Sequence, residues 1–292
     1  MPAMLKATLK WALILACLLA VGPLVAELFT RVRDVDGGRA ITILVNGNLG
    51  AALAAAGALA LAVIVVGLVA AKLYTFGTAM ACAGFVIAWG ASAEGNLESI
   101  VRRAGDGQDL MMLAVEGLLV TLAAAAAAAL FASAAPPLHT GQLQPATKGP
   151  LALLVRGDTR DNPIPIIIAG LAAGVLVAAA GVWLFALSGA RNQTLAAAIF
   201  AGIAAGAVSH AVTHGRSFTL TPVVPILSMA VLAFIAPVLV KTIEGQKLLA
   251  KVYDGSVLNL ARPVSLDWAA GALIGVPLGI SWAGSSGQKP SK

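Results

Sequence analysis

Charge is what this chain lacks. Of its 292 residues, 11% are Asp, Glu, Lys or Arg, against roughly a quarter in soluble globular domains. Cysteine is nearly missing too. The only two, Cys17 and Cys82, sit inside apolar runs, so they read as small packing residues and offer neither a disulfide framework nor a thiolate metal site. The net charge of +6 includes no run of five or more Lys or Arg, a spread that fits anionic lipid at a membrane surface and not nucleic acid. No phosphate loop, dinucleotide fingerprint, nucleophile elbow or haem attachment motif occurs, because the glycines lie within apolar segments. The chain therefore offers no positive sign of an enzyme and implies no cofactor.

What is there is hydrophobic length. Apolar residues make up 59% of the chain and mean hydropathy is +0.92. A soluble fold of this size cannot hide so many long apolar runs in one core. The class is an all-α, polytopic transmembrane helical bundle of about eight helices, with seven as the fallback count.

The first run, Trp11 to Phe29, follows Lys6 and Lys10. A basic start and an apolar core also describe a signal peptide, and Ile14-Leu15-Ala16-Cys17 resembles a lipoprotein box. The run is long, Leu24-Val25-Ala26 is a poor cleavage site, and apolar residues continue past Cys17. It reads as an uncleaved first helix. A polar connection with Asp34, Asp36 and Arg39 leads to Asn46-Gly47-Asn48, a natural helix start. Further spans end near Ala71, Ala93 and Ala135, the last holding seven consecutive alanines from Ala123. These four spans make a first half, 1–135. Residues 136–163 form a proline-rich linker, and 164–284 a second half with an interfacial segment at 241–266; a polar tail, 285–292, ends the chain. The last apolar segment, Asp267 to Ala283, is short but framed by Trp268 and Trp282, which suit two interfacial belts. It either spans or re-enters.

Asn48 before GAALAAAG and Asn192 before QTLAAAIFAG suggest two parallel four-helix repeats, since Lys72 then falls on Arg216. Equally, Ala-rich helices always align passably. With eight spans and the N-terminus inside, Lys6, Lys10, Lys72, Lys148, Arg156, Arg160, Arg216, Lys289 and Lys292 share one side and the other ten of 19 cations take the opposite one. The positive-inside rule leaves orientation open.

The polar connection followed by Asn48-x-x-Ala51-Ala52 and spaced glycines, with its weaker counterpart at Asn192, resembles the bacterial inner-membrane family catalogued as domain of unknown function 350. The resemblance covers some 60 residues around Asn48. It implies a bacterial inner membrane and carries no activity with it.

The most site-like stretch is Leu195 to Val240, a helical hairpin around His214-Gly215-Arg216-Ser217-Phe218. Gly202, Gly206, His210 and His214 recur every four residues and share one face. The histidine spacing suits a two-histidine metal site, but Ala211 stands where a metalloprotease needs glutamate; a cross-helix hydrogen bond or a protonatable relay are the other readings. Glu116, about two turns into the fourth span, is the strongest single candidate, because ionisable groups at such depth face a bundle interior or wet cavity. Its cationic neighbours would be Arg102, Arg103 or the histidines. Asp267 reads as an N-cap carboxylate and Arg102 and Arg103 as interface markers. Small-residue stripes at Gly170 and Gly174, Gly202 and Gly206, and Gly271, Gly275 and Gly279 read as helix-packing devices.

Two functions are expected from this. One is transport or permeation of protons or small cations through Glu116, His210 and His214. The alternative is a non-catalytic scaffold or partner subunit, bound to itself or another membrane protein in the bilayer.

Overall fold

A computed structural model of the chain describes residues 3–31, 42–46, 48–104, 108–135, 150–157, 162–214, 216 and 218–286. Expectations for Asp34, Asp36, Arg39, Gly47, Lys148, Arg160, the linker prolines 136, 137 and 145, Gly215, Ser217 and the tail from 287 lie outside the described residues.

The opening apolar run is helical from further upstream than Trp11. Helix α1 (Ala3–Ala16) passes through a π-helical turn, Cys17–Val21, into α2 (Gly22–Thr30). A π turn loosens the backbone ladder, and inside a bilayer a loosened carbonyl needs a partner. Trp89 supplies one: its indole Nε1 donates to Leu18 O at 2.7 Å. Gly22 lets the ring lie flat on the turn, since a Cβ there would strike the indole.

Two hydroxyl or amide caps then start the next pair. Asn48 Oδ1 accepts from Ala51 N at 3.2 Å to open α3 (Leu49–Leu73), and Thr75 Oγ1 accepts from Thr78 N at 3.2 Å to open α4 (Phe76–Ala93). A short amphipathic helix, α5 (Leu97–Ala104), buries Leu97, Ile100 and Val101 and leads to α6 (Gln108–Ala134). The second half follows the same plan: α7 (Ile164–Phe185), α8 (Arg191–Ala211), α9 (Val223–Glu244), the short α10 (Leu248–Asp254) and α11 (Ser265–Ser286). A small antiparallel pair, β1 (Val155–Gly157) with β2 (Phe218–Leu220), ties the end of the linker to the α8–α9 turn.

Among the described residues, eight helical stretches are long and apolar enough to cross a membrane. The protein is an integral, multi-pass membrane protein of the all-α class. The last helix has 22 residues, the length of a full span, so the count is eight. The two halves meet by exchange: α6 of the first packs along α9, the third span of the second, and α11 packs along α4, the third span of the first.

Helix α11 is the axis of this arrangement. Every residue from Leu260 to Val276 is buried, so the helix starts inside the protein rather than at its surface. Its side against α8 is made of glycine. Added Cβ atoms at Gly202, Gly206, Gly271, Gly275 or Gly279 would strike backbone of the facing helix, so the two helices pack main chain to main chain, as small-residue stripes allow in lipid. Gly170 and Gly174 serve α7 likewise, facing Leu220 and Ser228, and Ser228 Oγ donates across to Leu171 O at 3.0 Å. Trp268 does not serve an interfacial belt. It is 1% exposed, held by its Nε1 donating to Pro263 O at 3.1 Å, because the chain before α11 folds inward and takes the ring with it. Trp282, by contrast, is 70% exposed.

Candidate functional site

The buried start of α11 gathers three of the four buried acids among the described residues. Glu116, eight residues into α6 and thus about 12 Å along it, is 1% exposed. Its carboxylate accepts from Thr42 Oγ1 at 2.8 Å, Leu44 N at 2.7 Å and Ile43 N at 3.3 Å. Ser265, the first residue of α11, donates its hydroxyl to the other side. Residues Thr42–Val45 are non-helical and buried or half-buried, and non-helical backbone is tolerated at membrane depth only where protein groups satisfy it. Glu116 does that here. Arg102, Arg103, His210 and His214 are absent from these contacts; the Arg102 guanidinium instead lies 5.3 Å from the Tyr253 ring centroid.

Asp267 is two residues further into α11. It is not the N-cap itself but reaches back, Oδ2 accepting from Val264 N at 3.1 Å, the geometry of a third-position acid closing a helix start. The same oxygen lies 3.3 Å from Arg191 Nη1. Arg191 opens α8, and its side chain is 14% exposed. It donates to Gly95 O at 3.2 Å and to Ala91 O, so it also clamps the end of α4.

At that end stands Glu94, 1% exposed, with Oε2 3.9 Å from Arg191 Nη2. The sequence places Glu94 in a charged connection; the structure buries it. The Leu266 amide approaches its carboxylate, yet neither carboxylate oxygen completes a hydrogen bond. The Thr194 hydroxyl approaches Asp267, yet Oδ1 is also buried without completing a hydrogen bond. Four helices and one irregular segment thus converge on three carboxylates, and the positive end of the α11 dipole points into them.

A quieter counterpart closes the second half. Glu244, 5% exposed at the end of α9, accepts from Leu258 N at 3.0 Å and pairs with Lys251 at 3.3 Å. The sequence does hold a signal for Glu94: Glu94-Gly95-Asn96 and Glu244-Gly245-Gln246 each end the third span of a half and precede a short amphipathic helix.

The histidines lie elsewhere. Helices α8 and α11 run parallel, with Ala198 beside Gly271, Ile203 beside Gly279 and His210 beside Gly284. From Arg191 to His210 is roughly 28 Å of helix, so His210 and His214 sit at the opposite end of the bundle from Glu116. His210 is half-buried and His214 exposed. Among the described residues no three His, Cys, Asp or Glu side chains group closely enough to hold a metal ion. On the outer surface, Ala179, Ala180, Trp183, Leu184 and Leu260 line a shallow apolar depression. No protein-family model matches the chain, and no curated protein and no solved structure matches it either.

Proposed function

We propose that this membrane protein passes protons or small cations across the bilayer, with Glu94, Glu116 and Asp267 as the ion-handling group. The observation that carries the reading is the charge count at the start of α11. Three carboxylates are each 1% exposed or less; Glu94 and Asp267 share one guanidinium, Arg191, and Glu116 lies near Glu94. Uncompensated buried charge is prohibitive, so the cluster takes up positive charge from outside, and a group that must do so in a membrane is the usual mark of an ion pathway. His210 and His214 stand at the far end, where they serve the other mouth of the path. The membrane is read as a bacterial inner membrane, on the resemblance around Asn48 and Asn192.

The partner-subunit reading is the alternative, favoured by the fully satisfied shell of Glu116, which suits a structural staple. Flux in liposomes separates the two. With a pH-sensitive dye and imposed proton, Na+ or K+ gradients, the wild type is expected to dissipate a gradient faster than empty vesicles. Folded protein that matches empty vesicles under every gradient ends the permeation reading.

A further inference from the structure

The three acids are not equivalent. Glu116 has four donors and the helix start to hold its charge. Asp267 has the Val264 amide and the nearer approach to Arg191, 3.3 Å. Glu94 is held less well: the Leu266 amide approaches it but neither oxygen completes a hydrogen bond, and Arg191 stands 3.9 Å away with its two Nη atoms donating to Asp267, Gly95 and Ala91. The charged groups that face Glu94 are Glu116 from α6, Arg191 from α8 and Asp267 from α11. Two of the three are acids, so ionised Glu94 would be a bare anion against like charge.

We propose that Glu94 is a proton-binding site, holding one proton on its carboxylate while Arg191 pairs with Asp267. A proton rather than a metal cation follows from the geometry, since no three His, Cys, Asp or Glu side chains among the described residues group closely enough to hold a metal ion and a dehydrated cation needs about six oxygens. Loss of the proton leaves Arg191 to be shared between two carboxylates instead of one. Arg191 is therefore the coupling element, joining the end of α4 to the starts of α8 and α11. Its side chain, 14% exposed, marks the edge at which a proton enters from water.

This inference rests on the permeation reading for where the proton goes next, but its occupancy is measured without flux. The test is infrared spectroscopy of the full chain in lipid nanodiscs near neutral pH, in H2O and D2O. The wild type is expected to show the carbonyl stretch of a buried protonated carboxylic acid, shifting on deuteration. Glu94→Gln should remove it, and Glu244→Gln, at a buried acid outside this group, should leave it. Adding Na+ or K+ at constant pH should not change it. Survival of the band in Glu94→Gln overturns the proposal, as does displacement of the band by Na+ or K+. Should Glu94→Gln not fold, Glu94→Asp decides: a displaced band supports the site and an unchanged one refutes it. A band at Glu94 with no flux ends the permeation reading and leaves the site. Flux with no such band does the reverse.

Discussion

Arg191 Nη1 lies 3.3 Å from Asp267 Oδ2, across 76 residues of sequence. The contact joins the first turns of α8 and α11, two helices that run parallel and touch main chain to main chain. It fixes their register at the buried end, where the glycine faces alone would let them slide. Removing one partner of a buried pair strands the other charge and typically costs about 3–5 kcal/mol. Arg191→Gln is therefore expected to lower thermal stability in detergent steeply, and Arg191→Gln combined with Asp267→Asn to recover part of the loss. A double variant no more stable than Arg191→Gln would show that the pair is not a unit.

The glycine faces make a sharper demand. At Gly206 a Cβ would meet the Val276 carbonyl, and at Gly279 the Ile203 carbonyl; backbone cannot step aside as a flexible side chain can. Gly206→Leu and Gly279→Leu should each destabilise by about 3 kcal/mol or more, beyond ordinary overpacking. Gly57, in the exposed middle of α3 with nothing near its Cβ position, is the control: Gly57→Ala should be neutral or stabilising by up to ~1 kcal/mol. Equal melting curves for Gly206→Leu and Gly57→Ala would contradict the packing.

Ser265→Ala and Thr42→Val each remove one hydroxyl from Glu116, and hydrogen bonds to charged groups contribute about 1.5–3 kcal/mol. The local effect is more telling than the global one. Residues Thr42–Val45 are held by Glu116 and not by a helix, so Thr42→Val should raise hydrogen–deuterium exchange at Ile43 and Leu44 while exchange in α7 stays unchanged. Unaltered exchange at both amides would mean that Glu116 does not anchor the segment.

Trp89→Phe keeps the packing against Gly22 but deletes the donor to Leu18 O. An unpaired carbonyl at a membrane helix break costs about 1–3 kcal/mol. A small loss of stability is expected, detectable by unfolding in detergent; none at all would show that water or lipid reaches the π turn.

The sequence made the membrane class and the eight spans legible because hydropathy is a sum over many residues, which no single contact can overturn. Glu116 was legible for a related reason, as one acid inside an apolar run. Glu94 and Arg191 were not, because each stands at a span end where a charge is normally wet. What buries them is tertiary: the chain before α11 folds inward and covers them, and the only local sign is the recurrence of Glu94-Gly95-Asn96 as Glu244-Gly245-Gln246. Trp268 misled in the same way, its position at a span end suggesting a belt while the fold took it inside. The spacing of His210 and His214 suggests one helical face, but α8 ends at Ala211 and His214 falls in the turn beyond it, and spacing cannot tell which end of a neighbouring helix His210 meets.

The most direct measurement is proton flux into liposomes with the membrane potential clamped, comparing variants at the two ends of the bundle. Glu94→Gln and Asp267→Asn, folded and equally incorporated, are expected to fall to the level of empty vesicles. His210→Ala/His214→Ala should retain a substantial part of the wild-type rate, since histidines at an exposed mouth are bypassed by water. Wild-type flux in both cluster variants, with loss only in the histidine pair, would contradict the account and move the site to the other end of the protein.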